Sequence, residues 1–90
     1  MTTQEFNKKA DALLINFIKN NGYVNSGSLI SSIKFSSTQT SNGNFNIKLS
    51  ANDYIQYLED GKFLDRFFES KEFLDLYGTV IQDMIYKELD

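Results

Sequence analysis

Residues 33–50, IKFSSTQTSNGNFNIKLS, contain two stretches of alternating apolar and polar residues on either side of a turn signal. The second stretch is the clearer one, with an apolar residue at every other position from Phe45 to Leu49. Because successive side chains of a strand point to opposite faces, each stretch predicts a strand with one buried and one exposed face. The two strands together predict an antiparallel hairpin.

The length of the loop decides which faces of the two strands meet. A two-residue loop would pair Phe35 with Ser50 and put the apolar sides of the strands on opposite faces of the sheet, where they cannot form one core. A three-residue loop over residues 41–43 pairs Phe35 with Leu49, and it needs a left-handed residue at its last position, where Gly43 stands. We therefore predict the three-residue hairpin.

Amphipathic helices are predicted before and after the hairpin. The N-terminal stretch places apolar residues at helical intervals, with Thr2 and Glu5 at the spacing of a capping box and Gly22 as the stop. A second long helix is predicted from Ser70 onward, although Gly78 within it costs about 1 kcal/mol relative to alanine unless a close contact compensates. Its predicted apolar stripe comprises Phe73, Leu74, Tyr77, Val80, Ile81, Met84, Ile85 and Leu89.

These elements assign the chain to the α+β class. Its 90 residues are predicted to form a single domain, residues 1–90, in which a small antiparallel sheet, the central hairpin, packs against the N-terminal and C-terminal helices. Folding at this size buries only about two-thirds of the surface that the unfolded chain exposes. Oligomerisation is therefore an expected source of further stability.

Residues 52–63, NDYIQYLEDGKF, predict a short helix between the hairpin and the last helix. Asp53 is the predicted N-cap and Gly61 is the predicted left-handed stop. Helical spacing places four residues on one side of this helix: Tyr54, Ile55, Tyr57 and Leu58. Residues 62–68 are dense in aromatics and are predicted either to run extended or to form another turn.

The residue types used in most catalytic and metal sites are absent from the sequence. It contains no Cys and no His, which removes the usual zinc ligands, the usual general base and the usual nucleophile pairs. Glu59 and Asp60 are adjacent acids, but neighbouring residues of a helix point about 100° apart and rarely share a site. We therefore predict that the protein is not an enzyme and has no catalytic residues, no cofactor and no metal.

Neither nucleic-acid binding by the strands nor membrane insertion is expected. Strand alternation puts the aromatic side chains on the face opposite Lys34 and Lys48, which leaves the lysines without the stacking partners of a single-strand binding platform. The net charge of −3 also disfavours tight binding of phosphate. No stretch approaches the ~20 apolar residues that span a bilayer, so we predict a soluble protein that is not exported.

Charge is distributed unevenly along the chain. Residues 1–52 carry five lysines against two acidic residues, a net +3, and residues 53–90 carry four basic against ten acidic residues, a net −6. This charge either forms ordinary solvated surface or brings the basic half of one subunit against the acidic half of the next. Aromatics around residue 60 also indicate an interface. The candidate contact residues are Tyr54, Tyr57, Glu59, Phe63, Arg66, Phe67 and Phe68, with Lys8, Lys9 and Lys19 as partners for the acidic patch.

Three segments, GSLISSIKF, YIQYLEDG and RFFESKEFLDLYGTVIQDMIYKEL, follow one another along the chain. Their order is similar to that in the phage tail-completion, or head-to-tail joining (neck), family of long-tailed bacteriophages. The first segment resembles the family's Gly-x-Leu with its Ser-Ile, the second its Tyr-Ala-x-x-Val-Glu-x-Gly segment, and the third its Pro-Phe-rich stretch and long C-terminal helix. Ile55 stands where Ala is usual, Lys62 stands where Thr is common, and Pro is absent. The matching residues are Gly27, Leu29, Ser32, Ile33, Tyr54, Leu58, Glu59 and Gly61.

This resemblance implies a non-enzymatic virion structural protein, a head-to-tail connector (neck) or tail-completion component. Such a protein forms a ring, and thus a homo-oligomer, between the portal complex and the tail, and it contacts the adjoining portal, neck and tail proteins. DNA passes nearby without sequence-specific binding, and an acidic channel wall would let it slide. The implied location is the virion, at the junction of neck and tail, after synthesis in the host cytoplasm and with no membrane partner.

Two other classes of function are compatible with the sequence. A small acidic regulatory or inhibitory binding protein acting on a host partner predicts salt-sensitive binding to a basic surface and requires no ring. A hydrolase using Glu59, Asp60 or Asp65 predicts a pocket and a carboxyl group with a raised pKa. The ring component is the leading hypothesis, because its features extend in order along nearly the whole chain.

Overall fold

The computed structural model describes residues 1–23, 27–39 and 44–89, with side chains described as far as residue 83. It confirms the predicted α+β class, because a two-stranded antiparallel hairpin lies between N-terminal and C-terminal helices. The elements, in chain order, are α1 (Thr3–Asn20), α2 (Gly27–Ser32), β1 (Lys34–Gln39), β2 (Phe45–Ser50), a 3₁₀ segment (Asp53–Gly61), α3 (Phe63–Phe68) and α4 (Lys71–Leu89).

The hairpin has the predicted register. Phe35 lies opposite Leu49, and Ser37 lies opposite Ile47. The apolar side of the hairpin packs under both long helices, because Phe45 has its ring 5.2 Å from that of Phe6 in α1 and also contacts α4. The loop that sets this register, with its Gly43, lies outside the described residues.

Helix α1 begins as its capping box predicts and is tied to β1 by polar side chains. The Glu5 N–H donates to Thr2 Oγ1 at 3.1 Å, which satisfies one of the free donors of the first turn. Farther along, Asp11 Oδ1 accepts the Phe35 N–H at 2.7 Å, so a side chain of α1 bonds to the backbone of β1. The buried stripe of α1 comprises Phe6, Ala10, Leu14 and Ile18.

Phe67 of α3 lies at the centre of an aromatic core. Its ring centroid is 5.2 Å from that of Phe73 and 5.5 Å from that of Phe17, so this one side chain joins α4 to α1. Phe35 of β1 lies 6.3 Å away on another side. Among the residues whose side chains the structure describes, every buried one is apolar, and the core gains its cohesion from dispersion and burial of hydrocarbon.

As far as its side chains are described, helix α4 buries a stripe that differs from the predicted one in the residue that follows Phe73 into the core. Phe73 and Val80 are buried as predicted, but Leu76 is buried in place of Leu74, which is 53% exposed. The reason is angular: residues three and seven positions after Phe73 return to its side of the helix, whereas Leu74 is turned about 100° away. The predicted members Met84, Ile85 and Leu89 lie outside the residues whose side chains are described.

The two longest helices, α1 and α4, contact each other. At one end of this contact the amino group of Met1 donates to Asp83 Oδ2 at 2.5 Å. None of the helices in the described ranges is long and apolar enough to cross a membrane.

Candidate interaction surface

The 3₁₀ segment carries the two tyrosines of the candidate surface. Three residues complete one turn of a 3₁₀ helix, so side chains three positions apart point the same way. Ile55 and Leu58 share the side that faces the core, and both are buried. Tyr54 and Tyr57 share another side, where they are 54% and 75% exposed. The prediction that all four lie on one side is wrong, because it assumed the 3.6-residue period of an α-helix.

The segment is capped by Asn52 and not by the predicted Asp53. The side-chain oxygen of Asn52 accepts the Tyr54 N–H at 3.0 Å, and its carbonyl oxygen accepts the Ile55 N–H at 3.1 Å. The Asn52 N–H donates to Ser32 Oγ at 2.9 Å, which ties the start of the segment to the end of α2. Asparagine and aspartate cap helices about equally well, so residue type does not choose between Asn52 and Asp53. The hydrogen bond to Ser32 holds Asn52 at the start of the segment and so favours it as the cap.

The segment ends in three consecutive left-handed residues. Leu58 is extended, with ψ 134°, and is followed by Glu59 (φ 52°), Asp60 (φ 56°) and Gly61 (φ 84°). The left-handed stop predicted at Gly61 is thus confirmed, but Glu59 and Asp60 also adopt a conformation that costs an L-residue roughly 1–2 kcal/mol. These left-handed residues turn the chain sharply, and Phe63, two residues after Gly61, is buried in the core.

Arg66 of α3 holds this turn in place. Its guanidinium donates to Glu59 Oε2 and to Asn21 Oδ1, both at 2.8 Å, and so joins the turn to the residue that follows α1. The guanidinium carbon also lies 5.4 Å from the ring centroid of Phe17, within range of a cation–π interaction. Because the Arg66 side chain is 48% exposed, the ion pair contributes about 1 kcal/mol or less.

Two glycines give opposite predictions for the same substitution. Gly78 lies in α4 at a helical φ, and a Cβ there would meet no atom within 4 Å. Gly78→Ala is therefore expected to raise the free energy of unfolding by about 1 kcal/mol. Gly61→Ala, the matched control, is expected to lower it by about 1–2 kcal/mol, because alanine is strained at φ 84°. Urea denaturation followed by circular dichroism measures both changes in the free energy of unfolding. Equal effects of the two substitutions would contradict a helical backbone at Gly78 and a left-handed backbone at Gly61.

The structure places two of the candidate contact residues in the core. Phe63 and Phe67 are 0% and 1% exposed, which removes them from the candidate surface. They lie four positions apart in α3, so they share one side of that helix and face Phe17 together. Phe68 is half-buried against Phe73, with ring centroids 5.1 Å apart.

Phe68 also lines a shallow groove that the sequence did not indicate. The groove lies between β2, the 3₁₀ segment and α3, and it encloses about 380 Å³. Its apolar walls adjoin the segment that presents the two exposed tyrosines. The lining residues are Leu49, Ala51, Ile55, Gln56, Leu64 and Phe68.

The charged candidates are all exposed but differ in their partners. Lys8, Lys9 and Lys19 lie on the exposed face of α1. Glu59 is already paired with Arg66 in the same chain, so it is less available for a lysine of another subunit. Among the described residues, none of the three lysines forms an ion pair with an acid of the 3₁₀ segment.

Two acids of the 3₁₀ segment are left for other partners. Asp53 and Asp60 are exposed, and neither forms an ion pair with any residue that the structure describes. In contrast, Asp75 on α4 accepts a hydrogen bond from Lys71 Nζ at 2.9 Å, and this bond with the carboxylate charge holds the pKa of Lys71 above its ordinary value. Asp53 is adjacent to Tyr54 in the chain, and Asp60 comes three residues after Tyr57.

Within ranges 1–23, 27–39 and 44–83, no three acidic side chains come together in a way that could hold a metal ion. Comparison of the chain with models of protein families, with curated proteins and with solved structures found no match. The exposed Tyr54 and Tyr57, with the exposed acids Asp53 and Asp60 on either side of them in the chain, form the candidate interaction surface. We call these four residues the tyrosine surface.

Proposed function

We propose that the protein is a non-enzymatic virion structural component, a head-to-tail connector (neck) or tail-completion protein that forms a ring between the portal complex and the tail. The observation that carries the proposal is the exposure of Tyr54 and Tyr57, at 54% and 75%, within the segment on which the resemblance to the neck family rests. The remaining residues of that segment already account for its folding. The tyrosines are therefore available for a partner.

Tyrosine is a residue type that fits this role. It is enriched in interfaces and at their energetic hot spots. On binding, its large apolar ring becomes buried while its hydroxyl group can still form a hydrogen bond to the partner or to water. At 54% and 75% exposure, the pair offers about 200–300 Å² of side-chain surface for burial. A small domain with a limited core gains stability from such burial.

The matched motif positions have structural roles that support the proposal. Leu29 and Ile33 of the first motif are buried where α2 leads into β1, and Leu58 of the second motif is buried beneath the tyrosines. Gly61 forms the left-handed turn that returns the chain to the core. These positions therefore fix the backbone that presents the tyrosines.

The uneven charge favours head-to-tail contact between copies. A contact between two different surfaces of one chain repeats from copy to copy, and it closes into a ring when the rotation permits. In the virion, such a ring would contact the adjoining portal, neck and tail proteins, and DNA would pass through its channel.

Native mass spectrometry across protein concentration and ionic strength tests the proposal. We expect one closed oligomer with a fixed number of subunits. Its population should rise with protein concentration and fall as ionic strength rises. A monomer at every concentration would contradict self-assembly and would favour the regulatory binding protein, for which a pull-down from host extract is the corresponding experiment.

A further inference from the structure

The hairpin presents an exposed basic surface on the side away from the core. Lys34 of β1 and Lys48 of β2 are both exposed and lie on this side, because they alternate with the residues that face the helices. Neither lysine forms an ion pair with any described residue. We call this surface the hairpin outer face; it comprises Lys34, Ser36, Thr38, Asn46, Lys48 and Ser50.

The two lysines lie close together on this face. Lys34 lies opposite Ser50 and Lys48 lies opposite Ser36, so the lysines are diagonal neighbours in the register. Diagonal positions on one face of an antiparallel pair are about 7–8 Å apart. Two like charges at this separation repel each other, and an acidic partner relieves the repulsion. The other four side chains of the face are small or short and polar, so the face is flat enough to receive aromatic rings.

The tyrosine surface has the complementary character. Its two rings are about 6 Å apart along the 3₁₀ axis, because each residue rises about 2 Å and the rings are three positions apart. Asp53 directly precedes Tyr54, and Asp60 comes three residues after Tyr57, so an acid without an ion pair to any described residue lies on either side of the aromatic pair in the chain. An aromatic ring also attracts the ammonium group of a lysine over its face.

We propose that the tyrosine surface of one copy docks on the hairpin outer face of a second copy. Asp53 and Asp60 then pair with Lys34 and Lys48, and the two tyrosine rings cover the short polar side chains between the strands. The inference rests on the self-assembly proposed above and names the surfaces that meet. It favours the hairpin over α1 as the receiving surface.

The lysines of α1 are a poorer match for the tyrosine surface. Lys8 and Lys9 lie within one helical turn of Glu5, which is exposed and offsets part of their charge. Lys19 is ten residues farther along α1, about 15 Å from Lys9 along the axis. The hairpin outer face has both of its lysines together and contains no acid.

A charge exchange between the two surfaces tests the docking. Lys34→Glu with Lys48→Glu, and separately Asp53→Lys with Asp60→Lys, are each expected to weaken self-association by about tenfold or more, because matched charges become repulsive. The variant with all four substitutions restores the match and is expected to associate within about threefold of the natural chain. Lys8→Glu with Lys19→Glu, which makes the same change in net charge on α1, is the matched control and is expected to have no effect. Sedimentation equilibrium measures all five proteins.

Cross-linking provides a second measurement on the unaltered chain. A mixture of ¹⁵N-labelled and unlabelled protein, treated with a zero-length carbodiimide, is expected to give mixed-isotope cross-links from Asp53 or Asp60 to Lys34 or Lys48. Association that survives the Lys34→Glu and Lys48→Glu exchange, or cross-links that join the acids only to α1, would overturn the docking and leave the ring proposal intact. A chain that never self-associates would overturn both.

Discussion

Phe67→Ala is expected to lower the free energy of unfolding by about 3–5 kcal/mol. Phe67 is 1% exposed and its ring packs near aromatic residues from α1, β1, α3 and α4, so its removal leaves a cavity that four elements line. A domain of this kind has a total stability of about 5–15 kcal/mol, of which this loss is a large share. Urea denaturation followed by circular dichroism at 222 nm measures the effect.

Tyr57→Ala is the matched control for Phe67→Ala. Tyr57 is also an aromatic residue near α3, but it is 75% exposed, so its removal is expected to change stability by no more than about 0.5 kcal/mol in the monomer. A similar loss for the two variants would show that Phe67 does not lie at the centre of the core.

Tyr54→Ser combined with Tyr57→Ser is expected to weaken self-association by about a hundredfold or more, because two hot-spot tyrosines each contribute roughly 1–2 kcal/mol or more. The same variant is expected to keep its unfolding transition at low protein concentration, since both side chains lie outside the core. Sedimentation velocity across a concentration series measures the association. Thermal unfolding of the dilute protein measures the fold.

Leu74→Ser is the matched control for the tyrosine pair. Leu74 is also a large, exposed apolar side chain, at 53%, but it lies on α4, away from the 3₁₀ segment in the sequence. Its replacement is expected to leave association unchanged. If Leu74→Ser weakens association as much as the double tyrosine substitution does, self-association depends on general surface hydrophobicity and not on the tyrosine surface.

The hairpin and both long helices were predictable because their sequence periods are unambiguous. Alternation over six residues specified the faces of β2, and the requirement for one apolar face left a single register, which pairs Phe35 with Leu49. The start of α1 was likewise predictable, because Thr2 and Glu5 form a local hydrogen bond that needs no tertiary contact.

The presentation of the tyrosines could not be predicted from the sequence. Over only five residues, the apolar pattern fits a period of 3.0 and a period of 3.6 about equally well, and the choice between them depends on tertiary contacts. One such contact is the hydrogen bond from Asn52 to Ser32, which is 20 residues away in the chain. Another is the hydrogen bond from Arg66 to Asn21. These residues are 45 positions apart, so no local sequence pattern predicts their contact.

The sequence contains a signal for the burial of Phe63 and Phe67. Their spacing of four residues, with polar Asp65 and Arg66 between them, is the pattern of one helical face. The density of aromatic residues around them predicts more aromatics than the core can hold, whereas the core accommodates these two in full. Of the aromatic residues predicted to contact a partner, Tyr54 and Tyr57 remain exposed, and Phe68 is half-buried.

Negative-stain electron microscopy of the purified protein, at a concentration where it self-associates, tests the ring most directly. We predict particles with one rotational symmetry and a central opening, which the Tyr54→Ser and Tyr57→Ser variant does not form. Compact dimers without an opening, open filaments, or identical particles from the variant would contradict the proposal that the tyrosine surface builds a closed ring.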